Sequence, residues 1–126
     1  VTKIRTIVGT TENLELLSEM AAKTVQDARN TAAYYGAAIT GGKKKLNSAL
    51  SRQKAMKAVL RHRNKFPPSV GKEVARQKED AAFVEAQARG ELANFKEHYN
   101  LAREVEFMAA SMLKLIEERS DVSSNS

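Results

Sequence analysis

The sequence predicts an all-α fold: an antiparallel helical hairpin or bundle with one long heptad-patterned C-terminal helix. Three observations carry this expectation. Small and apolar residues recur at alternating spacings of three and four along most of the 126-residue chain. The strongest breakers gather at two places, Gly41 with Gly42 and Pro67 with Pro68. Aromatic residues make up only 6% and tryptophan is absent, a composition suited to alanine-rich helix packing.

Residues 1–10 open with VTKIRTIV, a β-branched run closed by Gly9. They read as an N-terminal extension or a short strand. From Thr10 and Thr11, either of which can cap a helix, the period becomes helical, with Glu12 and Glu15 in the dipole-favoured first turn. Leu17, Ala21, Thr24, Ala28, Thr31, Tyr35 and Ala38 form one face of a first helix over about residues 11–40. Gly41 and Gly42 are expected to end it by taking left-handed conformations. A second helix runs over 43–65 through Leu46, Ala49, Gln53, Met56, Leu60 and Arg63, and Pro67 and Pro68 stop it.

Ser69 then stands as the cap of the third and longest helix. Val70, Val74, Gln77, Ala81, Val84, Ala88, Glu91, Phe95, His98, Ala102, Val105, Ala109, Met112 and Ile116 fall in heptad register. A continuous helix over 70–118 would be roughly 70 Å long. Gly90 weakens it by about 1 kcal/mol and suits a bend or a close crossing. The helical region is therefore expected over 11–118, followed by a disordered tail over 119–126. A seam this long predicts self-association as a homo-oligomer. Its contact residues are expected to be Val74, Ala81, Val84, Phe95, Val105 and Met112.

Charge is unevenly spread. Residues 43–78 carry twelve Lys or Arg and a single acid, Glu73, whereas 79–126 carry five cations and ten acids. Attraction between basic and acidic helices accounts for part of this, and the surplus points to an anionic partner. Lys54, Lys57, Arg61 and Lys65 repeat at spacings of three and four, so they are expected to form one cationic stripe with Arg63 beside it. The partner could be an anionic membrane surface, nucleic acid or an acidic protein. Aromatic residues that would stack bases are scarce in the stripe, Phe66 being the one candidate, which favours a lipid headgroup layer.

The sequence carries no recognisable catalytic motif. In GAAITGGKKK the glycines Gly36 and Gly41 match a phosphate-binding loop, but Gly42 stands at the lysine position and Lys44 at the hydroxyl position. His62 and His98 belong to no metal-binding pair, and no Ser-His-acid arrangement is visible. There is no cysteine. No catalytic, cofactor-binding or metal residue is assigned, no small-molecule substrate is expected, and the expected class is a non-enzymatic scaffold. An intracellular location, peripheral to a membrane, is expected.

Two segments add a resemblance. LSRQKAMKAVLRHRNKFPPS (residues 50–69) and RGELANFKEHYNLAREVEFMAASMLKLIEE (residues 89–118) resemble the last two helices of sorting-nexin-type BAR domains. Such domains form antiparallel helical dimers whose basic face binds curved anionic membranes. The resemblance implies that Lys54, Lys57, Arg61, Arg63 and Lys65 face lipid.

Overall fold

The computed structural model describes residues 11–125. It contains two α-helices, α1 (Thr11–Arg61) and α2 (Pro68–Asn125), joined by a 3-10 turn (Arg63–Lys65). No strand occurs among the described residues. The chain is an all-α helical hairpin with a long C-terminal helix, as its sequence predicts. The expectation of an extension or strand over 1–10 lies outside the described residues.

Where three helices were expected there are two, because Gly41 and Gly42 do not end a helix. Both lie inside α1, and no described glycine has positive φ. The physical reason is a buried column that continues through them. Leu14, Ala21, Ala28, Ala49 and Gly42 are buried, and Tyr35 and Met56 are half-buried, each seven residues from the next in the series. Tertiary packing of such a column outweighs a glycine penalty of about 1 kcal/mol per residue. The companion face is also shifted: Val25 and Ala32 are buried, whereas Thr24 and Thr31 are exposed. The Thr24 and Thr31 hydroxyls instead donate to the carbonyls of Met20 and Asp27 one turn back, both at 2.9 Å.

The chain divides into two compact units. One comprises the chain up to Tyr34 together with that from His98 onward. Here Leu14, Ala21 and Ile116 form a buried cluster with Leu17 and Leu113 packed on it. Ala102 and Ala109 are buried on α2. The Glu106 carboxylate accepts from Arg29 and from Arg103, both at 2.9 Å, so an ion pair between the helices is buttressed within α2.

The other unit is Tyr35–Glu97. Its core is small: Ala49, Ala81, Ala88 and Leu92 are buried, and Tyr35 and Phe95 meet with ring centroids 6.3 Å apart. Burying a methyl-sized group stabilises by about 0.8 kcal/mol against about 1.5–3 for a leucine, so such a core gains by repetition along the seam. A polar tie joins the two helices in this unit. Gln53 donates to Glu85 at 2.9 Å and approaches the Ala81 carbonyl at 3.4 Å. The close approach expected at Gly90 is found at Gly42 instead: a Cβ there would lie 2.8 Å from Leu92 Cδ2, while nothing lies within 4 Å of one at Gly90.

The turn obeys the proline rules one step earlier than expected. α1 ends at Arg61, so Arg63 and Lys65 belong to the 3-10 turn rather than to a helical stripe. Phe66, preceding Pro67, is extended at φ −121°, ψ 157°, as a residue before proline must be. Pro68, not Ser69, opens α2. Its fixed φ and missing N–H suit the first helical position, and the Pro67 carbonyl accepts from the Val70 amide at 3.0 Å. At the other end α2 continues to Asn125 instead of stopping near 118, with no proline or glycine after Gly90 to break it.

Candidate anionic-partner interface

Residues 43–65 hold Lys43, Lys44, Lys45, Arg52, Lys54, Lys57, Arg61, Arg63 and Lys65 and no acid. All nine are exposed. Only Lys45 forms a salt bridge, a long one of 3.8 Å to Glu91. Lys54, Lys57 and Arg61 lie on one face of α1 at three- and four-residue spacing, and Arg63 and Lys65 follow in the turn.

Three acids of this unit are held mainly by groups outside the tract or by Gln53: Glu73, Asp80 and Glu85. Glu73 is gripped by Arg76 at 2.6 Å, and Arg76 also reaches Asp80 at 3.3 Å. Hydrogen bonds from Arg76 and then Gln77 hold the Glu73 carboxyl down to about 2. The Gln53 amide and then the Arg89 guanidinium hold Glu85 below the usual carboxylate range, with Lys57 a lesser attraction. Most of the basic tract's charge is thus left uncompensated, Lys45 beside Glu91 and Lys57 near Glu85 excepted. Its ammonium and guanidinium groups are donors only, so what they can recognise is an array of anionic oxygens: phosphate or carboxylate.

The expected self-association residues separate into two groups. Ala81 is fully buried, at 0% exposure, and Val74, Val84 and Phe95 are half-buried. This part of the heptad face is therefore used inside the hairpin, because α1 is 51 residues long and covers it. Val105 and Met112 remain 45% and 56% exposed. The inward positions there are Glu106 and Leu113, one residue later. Successive α-helical heptads drift by about 20° against a 3.5-residue repeat, and that drift accounts for the shift.

Val105 and Met112 belong to an exposed apolar stripe on α2 whose other members, Leu101, Met108 and Leu115, were missed in the sequence. Leu101, Val105, Met108, Met112 and Leu115 are all exposed, at spacings of four, three, four and three. Met20 on α1 is exposed beside them, and with Leu17, Val105, Met108 and Met112 it lines an apolar groove of the first unit. The signal was present as a second heptad series one residue ahead of Ala102, Ala109 and Ile116.

No described helix is long and apolar enough to cross a membrane. No family model, curated protein or solved structure matches the chain.

Proposed function

We propose that this protein is a non-enzymatic helical scaffold that self-associates and presents its basic tract to an anionic surface. One observation carries the proposal: nine exposed cations over 43–65 with no acid among them and a single long ion pair. Like charges along one helix face repel, so a bound polyanion relieves a cost the isolated chain bears. The resemblance to BAR-domain helices favours lipid over other anionic surfaces. Self-association is assigned to the exposed stripe centred on Met108, since a 4-3 repeat of apolar residues is the pattern that pairs helices.

The test is the triple substitution Lys54→Glu, Lys57→Glu, Arg61→Glu. Each lies on an exposed face, so the far-ultraviolet spectrum should be unchanged. At about 1 kcal/mol per cation near an anionic bilayer, the parent should bind vesicles rich in phosphatidylserine at least a hundredfold more tightly than the variant. Equal binding of parent and variant to anionic vesicles, duplex DNA and RNA would make the tract an ordinary solvated face.

A further inference from the structure

The turn between α1 and α2 combines features that a solvated loop does not need. Every residue from Arg61 to Ser69 is exposed, including Phe66 at 43%. No acid occurs between Gly42 and Glu73, so the turn carries Arg61, Arg63, Lys65 and Lys72 without a countercharge of its own. Phe66 is also held in place. Its amide donates to the Arg63 carbonyl at 3.2 Å, the Lys65 amide donates to the His62 carbonyl at 2.9 Å, and Pro67 and Pro68 follow. With the backbone beneath the ring fixed, less chain freedom is lost on binding.

We infer that this turn is a membrane-insertion tip. Phe66 enters the interfacial layer of an anionic bilayer while Arg61, Arg63, Lys65 and Lys72 bind lipid phosphates. The inference rests on the anionic-surface proposal above and narrows it to one partner. An exposed apolar ring flanked in sequence by cations suits the headgroup boundary, where apolar burial and attraction to anionic lipid act together. Single-stranded nucleic acid is the less suited partner, because it gains affinity from several aromatic rings that stack successive bases. The turn has one. Residues 61–69 are all exposed, which leaves the turn free to sink between headgroups.

The chain contains no tryptophan, so Phe66→Trp installs a single reporter at an exposed position. Phe83→Trp, at a residue 71% exposed on α2, is the control. Vesicles of phosphatidylcholine with about one third phosphatidylserine supply the anionic surface. The emission of Trp at 66 should shift to the blue on these vesicles and be quenched by lipids brominated on their acyl chains. The control should do neither. Phe66→Ala should weaken vesicle binding about tenfold, the loss expected for removing a partly inserted ring, and leave duplex DNA binding unchanged.

Vesicle binding with an unshifted, unquenched Trp at 66 would overturn insertion and leave the anionic-surface proposal standing. Quenching at 66 by single-stranded nucleic acid, without vesicle binding, would overturn the lipid assignment in favour of base stacking. Failure of the unsubstituted protein to bind any anionic surface would remove both proposals together.

Discussion

At the scale of single residues, three glycines inside helices have different roles, and the difference is measurable. Gly41 and Gly90 have nothing within 4 Å of where a Cβ would stand, so Gly41→Ala and Gly90→Ala should each raise stability by about 0.5–1 kcal/mol through helix propensity. Gly42 is buried, and its added Cβ would meet Leu92 Cδ2 at 2.8 Å and Cγ at 3.1 Å. Leu92 is itself buried and cannot swing away freely. Overpacking of about 1–3 kcal/mol should then exceed the propensity gain, making Gly42→Ala destabilising. Chemical denaturation of the three variants checks the signs. A stabilising Gly42→Ala would mean that the helices do not meet closely at Gly42.

Glu73 yields a second residue-scale expectation. Its carboxyl is held down to about 2 by Arg76 and Gln77, against an ordinary value of 4.5. A depressed carboxylate stabilises the fold above its unfolded value, and that contribution is lost as pH falls through the folded one. The start of α2 should therefore weaken between about pH 4.5 and 2, and Glu73→Gln should flatten that part of the acid-unfolding profile. Amide exchange over 68–80 reports it locally. An unchanged profile in the variant would show that the Arg76 contact is not maintained in solution.

At the scale of elements, much of the hairpin was readable. The proline pair announces the turn because two rings in succession remove two amide donors and force Phe66 to extend. The column Val74, Ala81, Ala88, Phe95, Ala102, Ala109, Ile116 predicts which side of α2 turns inward. What was misread is the joint at Gly41 and Gly42. Local propensity marks it as a helix end, but Tyr35 and Ala49 are fourteen residues apart, so the heptad phase on its two sides already agreed. An interrupted helix has no reason to keep phase. The exposed stripe around Met108 was hidden for a different reason. Val105 and Met112 belong to one heptad series from 70 onward, and only the slow drift of the inward face separates them from Ala81 and Val84. The basic tract needed no structure to be seen, yet the scarcity of its ion pairs did.

That separation makes a prediction about α2. Val84→Asp puts a charge at a half-buried position facing α1, so it should lower hairpin stability by about 2–4 kcal/mol whether or not the protein self-associates. Met108→Asp lies on the exposed stripe, so it should keep the helical content and thermal midpoint while shifting sedimentation equilibrium toward monomer. If Met108→Asp unfolds the chain, or if the parent is a strict monomer at tens of micromolar, the stripe is not the pairing surface.

At the scale of the whole molecule, the units differ in what they offer a partner. Tyr35–Glu97 holds fourteen Lys or Arg against six Asp or Glu, whereas the remainder holds seven against nine. The exposed apolar stripe lies in the unit of near-neutral charge. Pairing copies through it would bring together the less charged parts and avoid joining two strongly cationic ones. A dimer would then offer two basic tracts to one extended anionic surface, and the second contact would form at the effective concentration set by the first. Met108→Asp should therefore weaken binding to phosphatidylserine vesicles by about a hundredfold although it removes no cation. Lys54→Glu, Lys57→Glu, Arg61→Glu should abolish binding while leaving self-association intact. Measured together against salt, the two variants separate the effects: the monomeric form should lose affinity less steeply with ionic strength, because fewer cations engage at once. A monomeric Met108→Asp protein that binds vesicles as tightly as the parent would show that one basic tract is sufficient and that pairing serves some other end.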